Sequence, residues 1–327
     1  VAETDYRLFL CMEGYPRSVL VVNPVTLAVE DTVHLPSTPH GIDFSPDYDK
    51  WFVSLSWDLL EIDPGTTAIA RQVAAQSPWV KVTANDMLVT YRRNVIEFWS
   101  LDNLSILHSD SLYVLQMVQD PNNTETLYGT YRITDEKPTR FGGIFEYDTE
   151  SFAIRRTFEV DRVGPQDLEI SKDGKYLFLT GVGPGWYGEF FYVIDVERGE
   201  VVEQHPISNY AQMELSPDGR YVYITDPGGY MRTWIYPEGI VRRYDIETQS
   251  MEDFLLLLDH IDPDYGFPPM ADRMVILPDN RTAFISSWYS GHGVMKWDLE
   301  RRTLLDRTGF DATQGQLVRE MVLGKRF

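Results

Sequence analysis

Cysteine is almost absent: the chain has Cys11 alone, so an internal disulfide and a haem-attachment cysteine pair are both excluded. Alternation in RLFLCMEG places Cys11 inside, as a small apolar residue. Avoidance of cysteine is compatible with an oxidising compartment. Val1 stands almost directly on strand-like sequence, as a trimmed N-terminus would, so the expected location is extracellular or periplasmic. Histidine is scarce too, six residues without paired ligand spacing, which argues against zinc. No apolar run approaches the ~20 residues of a membrane span. There is no Gly-x-Ser-x-Gly nucleophile elbow. Positive charge is short, with 29 Lys and Arg against 50 Asp and Glu and a net charge of −21. Such a surface repels nucleic acid and anionic membranes and leaves cationic partners, Ca²⁺ included, electrostatically permitted.

What is abundant is repetition. LSPDGRYVYITD at 215–226 pairs a Pro-Asp-Gly turn with a Tyr-Val-Tyr-Ile-Thr run suited to a half-buried pleated backbone. ISKDGKYLFLTG at 170–181 nearly repeats it, and VILPDNRTAFISS and DFSPDYDKWFVSLS are looser copies. A second phrase follows each copy, an apolar run closing on Asp63, Asp148, Asp195, Asp245 or Asp298. These aspartates recur at about 45 to 55 residues, or nearly twice that, the period of propeller blades.

The repeats predict an all-β, seven-bladed propeller of four-stranded antiparallel blades filling 1–327 as a single domain. Six blades are expected at 40–76, 78–112, 113–160, 164–207, 210–261 and 270–311, with 7–36 and 315–327 sharing the seventh, so that N-terminal strands pair with a C-terminal one. In the third copy Trp99 is read at the aspartate position. On the S-P-D-G-x-Y-V-Y hairpin and the strand-ending Asp, the chain resembles the YVTN-repeat propellers, which include surface-layer proteins, lactonase-like propellers and the propeller subunits of amine dehydrogenases. The resemblance covers nearly the whole chain and informs architecture, not role.

Function is sought where the repeats differ. With strands A to D from inside outward, the A–B turns are tight, whereas the B–C connections lengthen at 131–140, 181–189, 226–239 and 286–293; the D–A crossing 259–270 opens at the same strand ends. These segments hold Trp186, Tyr187, Tyr230, Trp234, Tyr236, Tyr265, Phe267, Trp288 and Tyr289. Exposing one large ring forgoes roughly 1.5 to 3 kcal/mol of burial, so the cluster reads either as a binding surface or as rings packed on each other to hold long loops. Where the A strands begin, Asp167, Gln212, Arg273 and Glu320 align, with His40 and Asp272 nearby; two positions on come Asp43, Lys81, Glu169 and Glu214. Such polar groups hold a ligand or a cation, or merely satisfy one another around water.

Three motifs bear on chemistry. GVGPGWYG joins two strands and opens no helix, so a dinucleotide loop is rejected. Asp259, Asp262 and Asp264 in DHIDPDYG have the oxygen-rich spacing of a Ca²⁺ loop without its full pattern. His292, beside Trp288 and Tyr289, is a candidate acid or base. The first reading is a non-catalytic, exported binding or assembly protein presenting an aromatic, acidic face to a protein, peptide or glycan, with self-association included. The lactonase-like resemblance implies an alternative, a hydrolase with a divalent metal on Asp167, Glu169, Glu214 and Glu320 and His292 or His40 as proton carrier. The amine-dehydrogenase resemblance implies a third, a structural subunit docking a cofactor-bearing partner.

Overall fold

The computed structural model describes residues 5–14, 16–76, 79–92, 94–133, 141–160, 164–182, 189–208, 211–226, 239–257, 271–287, 293–308 and 317–325. These form seven four-stranded antiparallel sheets, each a blade, and the fold is a seven-bladed β-propeller. Blade 1 draws on both chain ends: β28 (Leu317–Lys325) pairs with β1 (Tyr6–Glu13), followed by β2 (Ser18–Val22) and β3 (Val29–His34). Blade 2 is β4 (Pro39–Phe44), β5 (Trp51–Leu55), β6 (Asp58–Ile62) and β7 (Ile69–Ala74), and blade 3 is β8 (Trp79–Val82), β9 (Met87–Arg92), β10 (Val95–Ser100) and β11 (Ile106–Asp110). Blade 4 is β12 (Met117–Gln119), β13 (Thr126–Ile133), β14 (Phe141–Asp148) and β15 (Ala153–Val160). Blade 5 is β16 (Gly164–Ile170), β17 (Tyr176–Val182), β18 (Glu189–Asp195) and β19 (Glu200–Ile207). Blade 6 is β20 (Gln212–Leu215), β21 (Tyr221–Asp226), β22 (Ile240–Asp245) and β23 (Ser250–Leu256); blade 7 is β24 (Ala271–Ile276), β25 (Thr282–Ser287), β26 (Val294–Asp298) and β27 (Thr303–Thr308). Packing divides the chain into two compact units, one holding blades 1, 2, 3 and 7 and the other blades 4, 5 and 6. Among the described residues no helix is long and apolar enough to cross a membrane.

Strand position in a blade sets its composition. The second strand is covered on both faces by neighbouring blades, so it reads as a continuous apolar run rather than an alternating one, and every residue of β5 is buried. The outer strand faces solvent and β7 is mostly exposed. In the first unit, Phe9 of β1 meets Trp51 of β5 edge to face at 4.7 Å within a core shared by blades 1 and 2. In the second, Phe178 and Phe191 stack at 5.9 Å in the core between blades 5 and 6.

The two recurring phrases are two turns. In the first hairpin Gly219 takes φ +76°, as Gly174 does at +70°, and Tyr48, Asp86 and Asn280 occupy the same left-handed position without being glycine. The second turn is built on the strand-ending Asp. Asp63 accepts the Gly65 and Thr66 amides at 2.8 and 3.0 Å, Asp148 those of Glu150 and Ser151 at 2.8 and 3.1 Å, and Asp245 those of Glu247 and Thr248, both at 3.0 Å. Blade 1 uses Asn23 in this role and blade 3 uses Ser100, whose hydroxyl accepts the Asp102 amide at 3.3 Å. Ser100, not Trp99, therefore stands at the aspartate position: the ladder from Ser100 to Ser105 matches that from Asp63 to Ala68, and Trp99 is one residue earlier, buried in the core.

Candidate functional site

The first strands of successive blades lie side by side within each unit, and their opening residues carry most of the polar groups singled out in the sequence. A β-bulge interrupts several of them, between Pro39 and Gly41, Pro165 and Asp167, and Ala271 and Met274. Opposite each irregularity the second strand places a fully buried hydroxyl. Ser54 donates to the Gly41 carbonyl at 3.3 Å, Thr180 to that of Ala211 at 3.0 Å and Thr225 to that of Gln212 at 3.3 Å, while Ser286 accepts the Arg273 amide at 3.1 Å. Thr90 and Thr130 hold the equivalent positions in blades 3 and 4. In blade 1 that position is Cys11, paired with Glu320 in the ladder and fully buried. In blades 2 and 7 the hydroxyl satisfies a backbone group beside the bulge, whereas Thr180 reaches the Ala211 carbonyl of the next blade and Thr225 serves a ladder that has no bulge.

Two of the predicted carboxylates, Asp167 and Asp43, join one blade to the next. Asp167 accepts the amide of Leu168 at 3.0 Å and, across the blade boundary, that of Met213 at 2.7 Å. Asp43 repeats the arrangement in the other unit, accepting Phe44 at 2.9 Å and Val82 at 2.8 Å. Each carboxylate clips its own strand to the first strand of the next blade. Glu169 and Glu214 are half-buried two positions past Asp167 and Gln212, opposite Phe178 and Tyr223; Lys81 does not share their register, because Val80 is the residue facing Thr90 and Val82, opposite Leu88, holds the matching place. Gln212 pairs with Thr225 as Asp167 does with Thr180, so these two do occupy equivalent registers.

In the first unit, Arg273 reaches Glu320 at 3.6 Å and Arg319 pairs with Glu13 at 2.5 Å. Burial raises the Asp272 carboxyl above its ordinary range, with Glu320 adding to the rise and Arg273 and Arg319 opposing it. Burial likewise pushes the Cys11 thiol well up, so it is no thiolate at neutral pH. His40 Nε2 lies 3.0 Å from Ser56 Oγ, and its ring meets Trp79 edge-on at 6.4 Å. Burial lowers its pKa; Arg319 and Arg92 lower it further and Glu13 pulls it back, so the imidazole is neutral at neutral pH. Ser56 and Trp57 form the short β5–β6 turn, and the Arg92 guanidinium sits 4.9 Å over the Trp57 ring. Ser56, Trp57, Trp79 and Arg92 were not singled out in the sequence. A tight turn and a strand end carry no motif, and their convergence depends on the approach of blades 2 and 3.

Among the described residues no three His, Cys, Asp or Glu converge as metal ligands. Glu320 belongs to one unit and Asp167, Glu169 and Glu214 to the other. Trp186, Tyr187, Tyr230, Trp234, Tyr236, Tyr265, Phe267, Trp288, Tyr289, His292, Asp259, Asp262 and Asp264 lie outside the described residues. The strands that flank them are described, and 134–140, 183–188, 227–239 and 288–293 each join a second strand to a third.

No family model and no curated protein matches the chain. Solved structures do. A chain of Kuenenia stuttgartiensis hydrazine synthase superposes with a TM-score of 0.68 at 18% identity, over 83% of this chain and 86% of that one. The β-propeller domain of Myceliophteria thermophila Cps50 (Swd1) gives a TM-score of 0.61 at 11% identity, over 85% and 87%. At such identities the likeness is one of fold, and this chain has the β-propeller fold of those structures.

Proposed function

We propose that this propeller is a non-catalytic binding or assembly protein of the YVTN-repeat class, exported, whose B–C connections meet a protein, peptide or glycan partner. One observation carries the reading: elaboration is confined to one set of strand ends. At the opposite ends the turn after the third strand repeats the same backbone in all seven blades, and the first hairpin places its left-handed residue alike in blades 2, 3, 5, 6 and 7. The B–C connections instead grow from Leu55–Asp58 and Arg92–Val95 to Val182–Glu189 and Asp226–Ile240, and the added sequence is rich in aromatics. Rigid scaffolds concentrate recognition in such loops. The clip geometry of Asp43 and Asp167 agrees, because two residues of the carboxylate set serve the frame.

The test compares the wild type with a Trp234→Ala, Trp288→Ala double variant on immobilised peptide and glycan arrays and by sedimentation velocity. Retained melting temperature with loss of array signal or of self-association supports the reading. Identical behaviour of the two proteins sinks it. Metal-dependent hydrolysis is the second reading, drawn from the acidic and basic groups gathered where Arg273 meets Glu320. Stoichiometric divalent metal whose removal by EDTA lowers the melting temperature would promote it over the first.

A further inference from the structure

We infer that blades 2 and 3 together build a binding site for the carboxylate of a small aromatic or sugar acid, formed by Arg92, Trp57, Ser56, His40 and Trp79. This site is separate from the long connections and goes beyond the partner-binding reading. The five residues close a circuit. His40 touches Ser56 through Nε2, Ser56 precedes Trp57 in the turn, and Trp57 lies under Arg92. Arg92 follows Tyr91, which pairs with Trp79 in the ladder, and Trp79 returns to the His40 ring. Gly41 allows the approach of the two blades, since a Cβ there would lie 3.0 Å from Ser54 Oγ and 3.4 Å from the Val80 amide.

Arg92 decides the ligand's charge. This chain carries 50 acidic residues to 29 basic ones, and in the same unit Arg7, Arg71, Arg273, Arg281 and Arg319 each hold a carboxylate. Among the described residues Arg92 pairs with none; its guanidinium carbon lies 4.9 Å over an indole instead. A contact to the ring face engages no N–H of the fork as a hydrogen-bond donor, so those donors are available for a bidentate carboxylate. Trp57 is 64% exposed, an apolar plate for the body of the ligand. In the tautomer that carries its proton on Nε2, the neutral imidazole donates to Ser56 Oγ at 3.0 Å, and the serine hydroxyl is then a further donor for the ligand. The aromatic ring of an aryl acid and the C–H face of a sugar acid both suit the plate, so the shared chemistry is the carboxylate.

The experiment titrates the intact chain with benzoate and with glucuronate, using chloride as the ionic control, and follows the His40 ring signals by NMR and tryptophan fluorescence. A saturable response to at least one acid, absent with chloride, is expected, together with a rise in the His40 pKa on binding, because a bound anion stabilises the imidazolium against Arg319 and Arg92. The acid that binds more tightly identifies the source. Arg92→Gln should weaken binding at least tenfold at unchanged melting temperature. Arg92→Lys, which keeps the charge and loses the fork, should also weaken it several-fold, and it carries the test if the glutamine variant does not fold. No saturable response to either acid, an equal response to chloride, or unchanged affinity in the Arg92 variants would overturn the site. None of these outcomes touches the array result with the Trp234 and Trp288 variant.

Discussion

Asp167 shows how one side chain changes meaning between sequence and structure. As a carboxylate at the opening of a first strand it reads as a metal ligand, yet it accepts two backbone amides, one of them 46 residues away in the next blade. Asp167→Ala leaves the Leu168 and Met213 amides without that acceptor, and an unsatisfied buried donor costs about 1 to 3 kcal/mol. The variant should lose about 3 kcal/mol in urea denaturation, and a loss under 1 kcal/mol would remove the clip from the account. Cys11 offers the opposite test. Six blades place Ser or Thr where blade 1 has Cys11. Cys11→Ser should therefore fold with a stability change of about 1 kcal/mol or less, whereas Cys11→Leu should cost about 1 to 3 kcal/mol by overpacking. The alternation around Cys11 did tell that it is buried. That it substitutes for a hydroxyl could not be read, because the bulge between Cys11 and Met12 shifts the register on which an alignment of copies depends.

At the scale of the element, the turn after the third strand is the most regular device in the chain. Its fifth residue has positive φ in every blade: Leu27, Thr67, Leu104, Phe152, Gly199, Gln249 and Arg302. Glycine is the residue that adopts this conformation without strain, yet it appears here once. The aspartate was legible because its carboxylate caps the turn; the left-handed residue was not, because tertiary packing overrides its preference, as with Leu27 and Leu104 in the core. Gly199→Ala should be destabilised beyond the backbone strain of about 1 to 2 kcal/mol, since its Cβ would sit 2.9 Å from the Phe158 ring. The exposed Gln249→Gly should be neutral or slightly stabilised in the same melt.

The turn aspartates also set the acid limb. The Ser151 amide, with Arg155, brings the Asp148 pKa to about 2. Arg281 lowers that of Asp298, and at Asp245 the Thr248 amide and Arg220 outweigh the opposing effect of burial. Unfolded aspartate titrates near pH 3.9. A depressed folded pKa means stability that is fully present above about pH 4 and is lost as pH falls towards 2. Asp148→Asn keeps the cap, as Asn23 does in blade 1, and removes the titration. Its melting temperature should fall less steeply between about pH 4 and 2 than that of the wild type.

For the whole molecule, the sequence spoke most clearly through its two ends. REMVLGK near the C-terminus matches the apolar spacing of DRMVILPD, and the structure pairs that strand with β1 from Tyr6↔Lys325 to Glu13↔Leu317. The segments richest in aromatics carried no comparable geometric signal, since a repeat specifies its strands and turns but not what is inserted between them. The closing ladder also protects an edge. Leu8 and Leu10 on β1 share a core with Met321 and Val318 of β28 and with Val275 and Phe284 of blade 7. Ending the chain at residue 316 strips β1 of its partner, uncovers that core and leaves a flat apolar edge open to pairing with other chains. The truncated protein should melt at a lower temperature and form large species in light scattering. A synthetic peptide of residues 317–327 supplied in trans should restore both, since it replaces the missing ladder without a covalent link. A truncated chain that stays monomeric and melts like the full one would mean that blade 1 holds without its fourth strand.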